Sequence, residues 1–198
     1  MLVRQERAPS KPSNLLMEPA QGAGSYEIRT SQYRGIPHSV GVMSKLAREG
    51  QTHPAVRRYA ESIVRRVYPK DYLSELAALY YATAATVRYT RDPANAEFVQ
   101  HPAIVLRHRA GDCDDMAIVQ RSALGAVPDR YGALVGSVGN HADYVTCGFN
   151  RKRPNKHTHV FLRVYVPSIR KYVIMDPVAG PATRQMIRRC AGYRAYPT

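Results

Sequence analysis

Residues 159–176 read HVFLRVYVPSIRKYVIMD, two alternating apolar runs joined by Pro167, Ser168, Ile169 and Arg170. Alternation with a period of two marks strands with one buried face, and a connection of four residues suits a hairpin. Taking 167–170 as the loop sets Val166 opposite Lys171. In that register Asp176 falls opposite Phe161, and His159 becomes its diagonal neighbour on the same face of the ladder. Diagonal neighbours lie about 7–8 Å apart between backbones, a gap that a His and an Asp side chain close. The hairpin therefore predicts a His159–Asp176 pair, in which the carboxylate orients the imidazole and stabilises its charged form.

Upstream, GDCDDMAIV (111–119) follows a turn at Ala110–Gly111 and opens a helix with Asp112 at the N-cap and Asp115 three residues on, close to a capping box. Met116, Val119, Ala123 and Leu124 form its predicted buried stripe. Cys113 then sits in the first helical turn, where backbone N–H groups favour a thiolate and can hold the oxyanion of an acyl-transfer intermediate. Three flanking carboxylates, Asp112, Asp114 and Asp115, oppose a further negative charge. They must point away, cap the helix or hold a cation, and an imidazolium must supply positive charge to the sulfur. Cys113 as nucleophile, His159 as base and Asp176 as orienting acid make a complete set for nucleophilic catalysis.

Two further helices stand before this unit. In THPAVRRYAESIVRRVYP (52–69), Thr52 or His53 can cap and Pro54 fits the first turn. Val56, Tyr59, Ala60, Ile63, Val64 and Val67 recur on one face of it, with Arg57, Arg58, Glu61, Arg65 and Arg66 opposite. A second helix runs from about Tyr72 to Arg88, with Leu73, Leu76, Ala77, Tyr80, Ala84 and Val87 on its stripe. After Pro128 the strands are YGALVGSV, HVFLRVYV and KYVIMD. Helices followed by strands predict an α+β domain, N-terminal helices packed on an antiparallel sheet.

The 198 residues suit one domain with extensions, and 44% hydrophobic composition supports a core without disulfides or metal. Residues 1–25 carry three prolines and no apolar period, so they are expected to be a flexible N-terminal arm on a domain spanning 26–198, its core at about 50–182. Cys113, Cys147 and Cys190 are odd in number and widely spaced, which argues against a disulfide framework and for a reducing compartment or a free thiol; Cys147 and Cys190 read as structural. His157, His159 and nearby Cys147 could offer zinc ligands, without the paired spacing zinc sites usually show. His38, His53, His101, His108 and His141 stand singly. No secretory h-region and no membrane-length apolar run are present. A cytoplasmic or virion-associated protein is expected. The net charge of +14, from 29 Lys and Arg against 15 Asp and Glu, favours polyanionic partners: nucleic acid, anionic lipid or an acidic protein.

The runs GDCDDMAIV, HVFLRVYV and YVIMDPVAG, in this order, resemble the transglutaminase-like superfamily. Its pattern is a Cys at a helix start, a His opening a strand and an Asp-Pro closing the next. TVRYTRDPANAEFVQHPAIVLRHRAGDCDD (86–115) is similar to the approach to the Cys in bacterial and tailed-phage members. The resemblance covers about residues 50–182. It implies a papain-like fold and amide or thioester acyl chemistry, with Cys113, His159 and Asp176 as catalytic residues and a protein or peptide as substrate. Phe161 stands where the family usually has Trp, and no second oxyanion donor is evident beyond Gln100 as a guess. No cofactor is expected. Asp112 and Asp114 match the positions that bind calcium in the family's periplasmic peptidases, so calcium is the one metal the resemblance brings in. The activity expected is that of a cysteine peptidase or acyltransferase. The alternative is a structural or adaptor component of a tailed-phage particle, docking through its arm and basic surface.

Overall fold

The computed structural model describes residues 25–29, 35–93, 96–127, 142–179 and 186–198. The chain is an α+β protein whose described residues form six helices and eight strands. β1 (Ser25–Arg29) pairs antiparallel with β3 (Ala96–Gln100), and β2 (Arg88–Tyr89) pairs in parallel with β4 (Ala110–Gly111). The main sheet is antiparallel, with β5 (Ala142–Gly148), β6 (His159–Val166), β7 (Lys171–Met175) and β8 (Gly192–Pro197) in the order β7-β6-β5-β8. Val166 pairs with Lys171 and Leu162 with Met175, the register expected from the Pro167–Arg170 loop.

The helices are α1 (Ile36–Thr52), α2 (Pro54–Val64), α3 (Tyr72–Thr86), α4 (Pro102–His108), α5 (Cys113–Ala126) and α6 (Met186–Arg189). α5 is the hub. It packs against α1, α2, α3, α4 and β6, so nearly all its residues are buried and the expected stripe is only part of its contact surface. Val160, Leu162, Val164 and Val166 of β6 point into this core beside Leu46, Val56, Leu79 and Ile118. The opposite sheet face carries a smaller cluster of Val145, Cys147 and Phe161.

Several expectations need correction. The core begins before residue 50, because α1 buries Val40, Met43, Leu46 and Ala47. On α3, Leu73, Ala77 and Ala84 are exposed, while Leu76, Leu79, Tyr80 and Thr83 face inward, a face rotated from the expected stripe by the packing against α2 and α5. The Ala110–Gly111 turn is β4, and β5 and β8 join the sheet as strands the sequence reading omitted. YGALVGSV and the arm up to residue 24 lie outside the described residues.

The two His-Pro sequences start helices. His53 Nδ1 accepts the Ala55 N–H and His101 Nδ1 accepts the Ala103 N–H, each at 3.2 Å, so each His caps the helix that its Pro begins. The two rings meet edge-on with centroids 5.3 Å apart. Burial, and then His53, push the His101 imidazole down to about 4. A folded-state value below the unfolded one favours the neutral ring. The stability it contributes is present above pH 6.5 and lost as pH falls towards 4, by about 3 kcal/mol. His101→Asn keeps an oxygen to accept the Ala103 N–H and removes the titration. Urea melts at pH 7 and pH 4 should show the variant losing less stability on acidification than the parent. Equal losses would assign the acid sensitivity elsewhere.

Candidate active site

β6 begins at His159, and Asp176 directly follows β7, so the hairpin register sets both side chains at one end of the sheet. His159 Nε2 and Asp176 Oδ2 are 2.7 Å apart, with both side chains almost fully buried. The other carboxylate oxygen, Oδ1, accepts the Val178 and Ala179 N–H groups, each at 3.2 Å. The Asp176–Ala179 turn thus holds the carboxylate from behind, and its three hydrogen bonds compensate its burial. An Nε2–H donated to Asp176 leaves Nδ1 as the basic nitrogen of the ring. Phe149 stacks at 6.0 Å on the imidazole, and Phe161 lies 5.8 Å from it. The aromatic next to the histidine is therefore supplied twice, from β6 and from the residue that follows β5.

Cys113 opens α5 and lines the same cleft as His159, a cavity of about 790 Å³ that also reaches Tyr89, Phe149 and His157. The backbone N–H groups of Val160 and Asp114 act on the sulfur to favour its anion. Val160 directly follows His159, so the first peptide of β6 joins the thiol's surroundings to the imidazole. Those two N–H groups favour the thiolate, but burial and then the Asp112 carboxylate outweigh them and push the thiol up to about 12. The resting side chain is a neutral thiol.

The flanking carboxylates adopt different solutions. Asp115 is wholly buried and accepts the Gln100 backbone N–H at 2.9 Å and the Gln100 side-chain amide at 2.5 Å, fastening β3 to α5. Gly111 makes room for it, since a Cβ there would stand 2.6 Å from the Asp115 carboxylate. Asp114 accepts the Asp115 N–H at 2.7 Å and is driven well above the usual carboxylate range, by burial first and then by Asp112, to which it also hydrogen-bonds. Asp112 occupies the N-cap position without a side-chain capping bond, contrary to the expected capping box. Gln100 is buried against Asp115 and is not among the residues lining the cleft.

Carboxylate oxygens of Asp112, Asp114 and Asp115 lie within 4.8 Å of one another, the one such group of His, Cys, Asp or Glu among the described residues. With Asp115 committed to Gln100, two carboxylates remain, too few for the six to eight oxygens calcium takes. The donor set does not fit that ion by itself. Zinc fares no better. Cys147 is bonded to Cys190 in a disulfide, and His157 Nδ1 is 2.6 Å from Thr146 Oγ1.

The disulfide overturns the expectation drawn from the spacing of the cysteines. Their 43-residue separation hid that β8 pairs with β5, with Tyr193 opposite Cys147, which brings Cys190 beside Cys147. The inference of a reducing compartment rested on unpaired cysteines and falls with it; Cys113 is the free thiol.

Tyr89 and Phe149 are among the cleft residues that sequence reasoning missed, while His157, considered there only as a metal ligand, lines the cleft as well. Tyr89 pairs with Gly111, two residues before Cys113, and its phenol is raised by burial and then by the thiol beside it. A residue whose place depends on a two-residue parallel bridge leaves no periodic signal. No helix among the described residues is long and apolar enough to cross a membrane. Comparison with protein-family models, with curated proteins and with solved structures finds no match for this chain.

Proposed function

We propose that the protein is a cysteine hydrolase or acyltransferase of papain-like, transglutaminase-like architecture, acting on amide bonds of a protein or peptide. The observation that carries this reading is the convergence in one cleft of a free thiol at a helix start and a His–Asp pair fixed by the sheet. Because the resting thiol is neutral, His159 Nδ1 removes its proton as the sulfur attacks the carbonyl carbon. The carbonyl π electrons move to oxygen, giving a tetrahedral oxyanion. The α5 N-terminus offers backbone donors to that oxygen, and Tyr89 lines the same cleft. Collapse of the intermediate returns the proton from the imidazolium to the leaving amine and leaves a thioester. Water, or an acceptor amine in transamidation, then attacks the thioester through the same steps.

The raised thiol and the acidic pair favour a second reading, an adaptor of a tailed-phage particle that keeps the fold without using the thiol. Alkylation by iodoacetamide, followed by mass spectrometry of the oxidised protein, separates the two. With His159 as base, Cys113 alkylates at pH 7 at least about tenfold faster than in His159→Ala, in keeping with the size of general-base effects. In the variant the rate should climb steadily from pH 7 to beyond pH 10, as a thiol near 12 ionises. Equal rates in the two proteins at pH 7 would remove the base and leave the adaptor.

A further inference from the structure

We propose that the rim of the cleft formed by the β5–β6 connection and α6 binds single-stranded nucleic acid. The connection reads FNRKRPNKHT (149–158) and contains no acid. Arg151, Lys152, Arg153 and Lys156 are all exposed, and none forms an ion pair among the described residues. Arg188 and Arg189 of α6 add to them from across the disulfide, where the Ala191 N–H donates to the Gly148 carbonyl at 2.7 Å. Like charges so concentrated repel one another and destabilise the fold unless a counter-charge arrives.

The connection is also built to hold its shape. Asn150 accepts the Lys152 N–H on its side chain at 2.9 Å and the Arg153 N–H on its carbonyl at 2.9 Å, and Arg153 accepts the Lys156 N–H at 3.0 Å. The turns fold back onto Gly148, where a Cβ would stand 2.4 Å from the Pro154 carbonyl oxygen. The cations are thus presented on a preformed surface, which lowers the ordering cost of binding.

Two aromatic rings choose among polyanions. Phe149 is 44% exposed and Tyr193 53% exposed. His159 and Tyr193 flank Cys147 on neighbouring strands, and Phe149 lies over His159, so both rings belong to this end of the sheet. An acidic polypeptide would neutralise the cations and leave the rings uncovered. A duplex offers phosphates, but its bases are already stacked. A single strand supplies both phosphates and free base faces.

Fluorescence anisotropy of the full chain with a labelled mixed-sequence DNA strand of about 12 nucleotides tests this. Affinity should fall with salt with a log–log slope of about −3, as for four or more phosphates neutralised on a single strand. Changing Arg151, Lys152, Arg153 and Lys156 together to Gln should weaken binding tenfold or more and flatten the slope by about 2–3. Changing Arg57 and Arg58 of α2 and Arg65 and Arg66 just after it to Gln removes the same charge elsewhere and should leave the slope within about 1 of the parent. Tyr193→Ala should cost about fivefold or more. Equal losses from the two quadruple variants would reduce the effect to net charge and overturn the site. Binding of poly-glutamate or of a matching duplex as tight as the single strand, or no binding at low salt, would overturn the ligand.

Discussion

Asp176→Asn is expected to lower the proposed acyl-transfer rate by about 10²–10⁴-fold, the scale of removing the orienting carboxylate from a catalytic triad. The reason lies in which end of an amide the turn accepts. The Val178 and Ala179 N–H groups both donate to Oδ1, so the asparagine must present its oxygen to them and turn its NH₂ towards His159. Two donors then face each other unless the ring gives up its Nε2 proton. The imidazole moves its hydrogen to Nδ1 and loses the lone pair that takes the thiol proton. Because the turn keeps its two hydrogen bonds, the variant should melt close to the parent. Asp176→Ala, in contrast, strands the two N–H groups and should cost about 1–3 kcal/mol of stability besides activity. Hydrolysis of a chromogenic peptide amide and alkylation of Cys113 at pH 7 provide the two readouts. Rates for Asp176→Asn within twofold of the parent would show that the carboxylate does not control the tautomer.

The His–Asp pair was legible because a hairpin is local. Four loop residues set the register, and period two then decides which side chains meet. The helix α2 was legible for a similar reason, since its Arg-rich face and its Val56, Ala60 and Val64 face separate cleanly. β5 was not legible. Ala142 and Tyr144 pack towards the helices while Val145 and Cys147 pack into the opposite cluster, so every residue of the strand is buried and the alternation of polar and apolar residues fades. α5 lost its stripe because helices surround it. α1 does carry a period in Val40, Met43 and Leu46, interrupted to the eye by Ser39, Gly41 and Ser44. At the site, the carboxylates around Cys113 announced an electrostatic conflict, but their composition could not tell how it resolves. The fold answers with Gln100 for Asp115, and at Asp114 burial and the Asp112 carboxylate raise the carboxyl well above the usual range. Both answers depend on burial, which no local spacing encodes.

Removing the disulfide should destabilise the domain by about 4 kcal/mol, the chain-entropy value for closing a loop of this length. The bond joins residues 43 apart, Cys147 within β5 and Cys190 just after α6. Its loss frees a long stretch of the unfolded chain, and β8 is anchored to β5 only a few residues beyond Cys190. In the double variant Cys147→Ser/Cys190→Ser, β8 must hold the sheet edge by its ladder and by the Thr198 hydroxyl, which donates to the Ala142 carbonyl at 3.0 Å. Two polar hydroxyls also enter a cluster with Val145 and Phe161, so Cys→Ala at both positions is the cleaner comparison. The disulfide borders the site as well: Cys147 lies directly opposite His159 across the β5–β6 ladder. Reduction should therefore loosen the strand carrying the base as well as lower the melting midpoint. Urea unfolding of the parent with and without a strong reductant, beside the double alanine variant, measures the difference. The reduced parent and the variant should fall together by several kcal/mol. A midpoint unchanged by reductant, in a protein whose thiol titre has risen from one to three, would mean that the cross-link contributes nothing and the ladder alone holds β8.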